Sequence, residues 1–468
     1  MIPPGYTACG PPVVAGEATV TLVRGAEGKF LWLSRALAGF EGKALPTGSM
    51  LCPLSFVNAR ALGALLPWLL PRRLPASPSF GFGDRLGLAT PGHVRAVGES
   101  RVFPFLAQQS VRENARTGRT FADVLASAVF GALAAGHEKG FGADADHLKD
   151  VDDALLAADL GYTFFTCDPS DHVGPVDRTA DVQARFRCLP QREAWRKEYL
   201  GRAFSVGGRK LLFTEDGLAR AAVKYGEAVA FAAQMYRVLR ARLPHGFDFE
   251  LSVDETETPT TPLEHLFIAL ELRRYDVPLA SLAPRFPGEM EKAVDYRGDL
   301  GAFRDALRAH VAIARAMGPY RISLHSGSDK FRLYPILAEE AGDLWHVKTA
   351  GTSYLVALAI VARFTPALFR DIFRLALSRF PTDRTSYYLS TDPARIPDLE
   401  RVPDQELPAL LADCDARQVL HVTFGSVLRS ELAVDLRAAL SEHEEEYHQA
   451  LATHLRRHLT LLGVRGNG

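Results

Sequence analysis

The chain has few cysteines, no surplus of charge of either sign and no long hydrophobic run. Its five cysteines, Cys9, Cys52, Cys167, Cys188 and Cys414, are odd in number and scattered, and no CxxC pair occurs. That supports neither a disulfide framework nor a cysteine zinc site. Basic residues number 54 and acidic residues 55, for a formal net charge of −1. A nucleic-acid binder would carry a basic excess, so none is expected as partner. No stretch of about 18 uncharged apolar residues exists, so no membrane span or membrane partner is expected. The start, MIPPGYTACGPP, lacks the basic and apolar regions of a signal peptide, which leaves cytoplasmic residence as the default expectation. There is no GxxxxGK[ST] phosphate loop. The glycines of GFGDRLGL (81–88) lack the βαβ context and the acidic partner of a dinucleotide fingerprint, so no nicotinamide is expected.

What is present is core and rhythm. Hydrophobic residues make up 47% and charged residues 23% of 468 residues, enough for one large elaborated domain. Residues 1–75 read as an extension with short strands near Ala18–Val23 and Lys29–Leu33 and a helix near Asn58–Leu70, followed by the linker PRRLPASP (71–78). Eight candidate strands follow: Ser79–Leu86, Val102–Gln108, Gly140–Asp144, Tyr162–Thr166, Phe247–Val253, Tyr320–His325, Leu344–Lys348 and Gln418–Phe424. Helical segments lie between most of them, at Val111–Gly136, Val151–Leu160, Thr214–Arg242, Pro262–Arg274, Leu300–Met317 and Ser353–Arg363. The start at Thr261-Pro262-Leu263-Glu264 combines an N-cap Thr, a first-turn Pro and a capping-box Glu. This alternation predicts an α/β fold, a (β/α)8 TIM-type barrel over 76–430, in preference to a doubly wound sheet. Insertions near 168–213 and 365–415, the second read as a helix pair, are lid candidates. Residues 431–468 read as one closing helix with a solvated charge run, and its His454/His458 pair as part of that amphipathic face.

Polar groups gather where these strands end. The first strand gives Asp84, Arg85 and His93, the second Gln108-Gln109, the third Asp144, Asp146, His147 and Lys149, the fourth Asp168. The fifth gives Asp254 and Glu255, the sixth His325, Ser326, Asp329 and Lys330, the seventh His346, Lys348 and the TAGTS turn, the eighth His421. A carboxylate and two histidines from different strands suit one divalent ion with open positions for substrate. His325 precedes a polar turn and reads as a ligand, His346 inside an apolar run as a core residue, and His421 as either. Alternation along the fifth strand puts Asp254 and Glu255 on opposite faces, so only one points inward. If Leu251 and Val253 face the helices, that one is Asp254.

The segments GDRLGLATPGHVRA (83–96), ADADHLKD (143–150), SVDETETPTTPLEHLFIALELRR (252–274), SLHSGSDKFRLYPI (323–336) and KTAGTSYLVAL (348–358) resemble the tagaturonate epimerase family, over about residues 79–430. The resemblance implies metal-dependent interconversion of D-tagaturonate and D-fructuronate, with some members also epimerising fructose and tagatose. The expected cofactor is one divalent ion (zinc, manganese, nickel or cobalt) and the expected partner a small sugar acid or ketose; oligomerisation is left open. On this reading Glu255, His325 and His421 bind the metal, with Asp254, His147 and Asp84 as substitutes. Asp146, Lys149 and Glu255 are the catalytic candidates. Asp84, Arg85, Ser326, Asp329, Lys330, Lys348 and Thr352 are the substrate-binding candidates. A class II-type metal-dependent aldolase and a non-catalytic sugar-acid-binding barrel are the competing readings.

Overall fold

A computed structural model describes residues 1–177 and 179–464. Eight parallel strands close into a barrel: β1 Ser79–Phe82, β2 Phe103–Ser110, β3 Gly142–Leu148, β4 Phe164–Cys167, β5 Asp248–Ser252, β6 Ser281–Ala283, β7 Arg321–Leu324 and β8 Trp345–Thr349. Each strand pairs with its successor in sequence, and β8 pairs with β1 to complete the ring. Helices follow the strands, and Ser, Thr or Asp side chains cap several of them. Thr261 and Glu264 form the capping box expected ahead of the helix Pro262–Arg274.

The barrel prediction is correct, but one of its strands was misplaced. Gln418–Phe424 is not a strand; it lies mostly in the helix Cys414–Val422, N-capped by Asp413. The missing strand is β6, three residues between Pro278 and Pro284. The segment expected as one helix over 111–136 is two, Val111–Thr117 and Phe121–Ala134. The first ends on a left-handed Gly118 (φ 72°), and a Thr120–Asp123 capping box starts the second. The tail likewise splits at His443 into Leu432–Glu442 and Glu444–Leu461. The 365–415 insertion holds one long helix, Pro366–Asp383, followed by short 3-10 turns, not a helix pair. The 168–213 insertion folds into the helices Thr179–Cys188 and Arg192–Tyr199 and a hairpin of Ala203–Val206 with Arg209–Leu212. An antiparallel sheet built on Ala18–Gly25 and Gly28–Leu33 precedes the barrel.

The barrel interior is layered. One layer is apolar and aromatic, with Phe105 and Phe164 rings 5.0 Å apart and the His346 ring 5.2 Å from Phe105. His346 Nδ1 meets Ser79 Oγ at 2.9 Å, and burial depresses its pKa to about 3. It is the core histidine its apolar flanks predict.

Candidate active site

Nearer the strand C-termini the interior becomes charged. Lys348 on β8 places its ammonium 2.7 Å from Asp144, 2.9 Å from Asp146 and 2.8 Å from Glu250, and donates to Thr166 Oγ1 at 2.6 Å. One buried cation among three buried carboxylates leaves the layer negative. Burial pushes the Asp144 carboxyl up to about 7 against the pull of Lys348. Burial works the same way on Asp146, but there the Lys348 and histidine charges prevail and hold the carboxyl well below its usual range.

The strand register slips once, and the slip builds the site. Pairing between β3 and β4 is irregular between Phe165 and Cys167, opposite Ala145 to Leu148. There His147 takes a left-handed conformation (φ 51°). A bulge puts consecutive residues on one side of a strand, so Asp146 and His147 both reach the barrel mouth. Positive φ on a non-glycine residue is strain of the kind that concentrates at functional positions.

His147 faces His325, which lies just beyond β7. His147 Nε2 and His325 Nδ1 are 3.2 Å apart. Behind each ring stands a carboxylate: Asp168 Oδ2 is 3.1 Å from His147 Nδ1, and Glu250 Oε1 is 2.6 Å from His325 Nε2. With each neutral ring donating its N–H to the carboxylate behind it, the nitrogens that face each other are the ones free to take a proton or a metal ion. Facing imidazole nitrogens at 3.2 Å call for positive charge between them, a proton or a metal ion. Nitrogens bound to one tetrahedral zinc at about 2.0–2.1 Å would sit about 3.3 Å apart. Asp146, His147 and His325 each offer one ligand atom, all within 4.8 Å of one another. Burial alone would depress both imidazoles, but the carboxylates around them reverse this and lift His147 to about 10 and His325 to about 9. The electrostatic field and the donor geometry therefore both favour positive charge between the rings.

Strand parity decides which of Asp254 and Glu255 faces them. Glu250 and Ser252 point inward and Leu251 and Val253 pack in the core, so Asp254 continues the inward face. Its Oδ1 lies 3.5 Å from His325 Nδ1 and accepts from Ser252 Oγ at 2.5 Å. Glu255 turns outward to Arg112 at 3.2 Å. Glu255 remains on the wall of a cavity of about 600 Å³ that opens over the site, lined also by Asp254, Lys292, His325, Ser326 and Tyr387.

Several expected site residues are engaged elsewhere. His421, carried by a helix and not a strand, has Nε2 3.4 Å from the Arg85 guanidinium, a poor neighbour for a metal ion. Its ring packs so closely on Gly351 that a Cβ there would collide with it. Arg85 itself pairs with Glu113 at 2.7 Å and stacks on Phe424. The Asp84 carboxylate accepts from the N–H groups of Leu86, Gly87 and Ala89 and shapes that turn. Lys149 is half exposed, donating to Ser170 Oγ at 2.7 Å, and Asp146 has Lys348 as its cation instead. Lys330 is fully buried and donates to the carbonyls of Glu291, Val294 and Ser328. Asp329 is held by Arg417, His454 and His458, so the tail histidines are not on a solvated face. Thr352 is buried at the start of the helix Thr352–Phe364. Lys348 serves the interior carboxylates, with no donor left over for a substrate anion. Of the substrate-binding set, Ser326 lines the cavity. Sequence reading overlooked Glu250, whose signal was an acid in the middle of the apolar run FDFELSV, and Lys292, which nothing in PGEMEKAVDYRG singles out.

Among the described residues no helix is long and apolar enough to cross a membrane. A family model for tagaturonate epimerase, UxaE, matches residues 15–462. A tagaturonate/fructuronate epimerase of Thermotoga maritima is 47% identical over 414 residues, covering 88% of this chain and 86% of that protein. The crystal structure of the fructuronate-tagaturonate epimerase UxaE from Cohnella laeviribosi superposes with a TM-score of 0.93 at 36% identity, over 97% of this chain and 96% of that one. A glycerol complex of the same enzyme matches equally well. With a (β/α)8 barrel, a histidine–carboxylate centre at its mouth and a match along nearly its whole length, this chain belongs to the tagaturonate epimerase family.

Proposed function

We propose that this protein interconverts D-tagaturonate and D-fructuronate, with one divalent ion held by His147, His325 and Asp254 and with Asp146 carrying the proton. The names of its relatives support the substrate. The observation that carries the site is the 3.2 Å gap between two facing imidazole nitrogens, each ring backed by a buried carboxylate. Bound there, a divalent ion would supply Lewis-acid stabilisation of the negative charge that develops on the sugar oxygens.

The inverted carbon is β to the ketone, so its C–H is not acidic and simple deprotonation would invert the wrong centre. Retro-aldol chemistry avoids this. Asp146 accepts the proton of the β-hydroxyl, the bond between the α and β carbons breaks, and an aldehyde and an enediolate result. The aldehyde presents its other face, the same bond re-forms, and Asp146 returns the proton. Lys348 on one oxygen of Asp146 and Gln108 on the other fix its orientation. Asp168 and Glu250 keep the two histidines in the tautomers that ligation needs. The walls of the cavity retain the aldehyde through its turn; an aldolase would release it. Free ketohexoses fit the same chemistry as weaker substrates, since they lack only the carboxylate.

Chelator treatment followed by add-back of single divalent ions, with tagaturonate consumption monitored, tests this reading. Activity is expected to vanish and return with metal; activity indifferent to metal overturns the assignment. In D₂O the inverted centre is expected to carry no carbon-bound deuterium, and release of three-carbon fragments as net products would favour the aldolase.

A further inference from the structure

The cavity over the site has an unpaired cation on its wall. Lys292 is partly buried, its ammonium donates to Ser326 Oγ at 2.8 Å, and among the described residues no carboxylate lies within 4 Å of it. The other charged groups of that wall are mostly committed. Arg285 pairs with Glu289, Glu255 with Arg112, and Glu291 accepts from Ser390 and Gln418; Glu257 is exposed at the rim. A partly desolvated ammonium without a counter-ion is costly unless an anion visits it.

The backbone that presents Lys292 is clamped on both sides. Lys330 Nζ donates to the carbonyls of Glu291 at 2.9 Å and Val294 at 2.6 Å. Gln418 Nε2 donates to the Lys292 carbonyl at 3.1 Å, and Arg417 Nε to that of Ala293 at 2.8 Å. Four consecutive carbonyls are thus held by side chains from two other elements. Between them Ala293 adopts φ 63°, a left-handed conformation that alanine disfavours. A strained turn fixed this firmly is rigid apparatus for the Lys292 side chain that it carries on the cavity wall. Ser326, which receives that ammonium, immediately follows His325. The cation therefore stands at the edge of the histidine centre without touching its carboxylates.

The geometry points to Lys292 as the anchor for the substrate's carboxylate, with Lys330, Arg417 and Gln418 as positioning residues behind it. The inference rests on the proposed uronate substrate and assigns the group that separates a uronate from a neutral ketose. The test compares metal-loaded wild type with Lys292→Met and Lys292→Arg, following tagaturonate turnover and calorimetric binding of tagaturonate and of neutral tagatose. Removing a charge-assisted contact is expected to raise KM and Kd for tagaturonate about 10- to 100-fold. Tagatose binding and metal content are expected to change little, and Lys292→Arg to recover part of the loss. If wild type epimerises tagaturonate and Lys292→Met leaves KM unchanged, the anchor lies elsewhere. A wild type that binds tagaturonate in a Lys292-dependent way without epimerising it sinks the activity and leaves the anchor standing. A wild type that does neither overturns both.

Discussion

Among the described residues lie two clusters of histidine and aspartate, and at first sight either would hold a metal ion. Asp146, His147 and His325 form one at the barrel mouth; Asp329, His454 and His458 form the other beneath the last helix. The difference lies in what the rings face. At the mouth, carboxylates stand behind the histidines and two nitrogens point at each other. Under the helix the carboxylate stands in the middle. His454 donates to Asp329 Oδ1 at 2.6 Å, Arg417 donates to Oδ2 at 2.6 Å, and the Asp329 backbone N–H donates to His458 Nε2. Every donor there meets an acceptor and the charge is already balanced. Composition and spacing alone do not separate the two arrangements; what each ring faces does.

That contrast can be broken or sharpened by mutation. The largest effect is expected from His325→Ala or His147→Ala, which remove a nitrogen from the pair: metal content, read by elemental analysis, and turnover should both fall at least 10²- to 10³-fold. Asp168→Asn keeps the ring but weakens its backing, and a 10- to 100-fold loss of metal affinity in a chelator competition is expected. Asp329→Asn should act on stability alone. Loss of one partner from a buried charged network costs about 3–5 kcal/mol, visible as a lower denaturation midpoint, while one ion per chain is retained. Loss of metal from Asp329→Asn would make the second cluster a ligand set after all.

How far the sequence carried can be judged residue by residue. The barrel was legible because apolar runs alternate with capped helices, and the place of His325 at the barrel mouth because a polar turn follows an apolar strand. Gln418–Phe424 misled because a short buried apolar run looks the same as strand or helix. β6 was invisible because three residues between prolines give no period to read. The choice of Asp254 over Glu255 was available as a conditional on strand parity, and the packing of Leu251 and Val253 supplied the condition. The bulge at His147 is a backbone event that no residue type announces. Lys330 illustrates the opposite failure: a lysine at a strand end suggested an anion site, and burial turned it into a clamp for the turn that carries Lys292.

The clasp beneath the last helix also bears on the order in which the chain is made. Asp329 lies four residues past His325, and the groups that hold it, Arg417, His454 and His458, come from segments synthesised long after β7. A ribosome can complete all eight barrel strands before the turn at 325–330 has its fastening. The barrel is thus expected to assemble first and the histidine centre to be fixed last, when the closing helix docks.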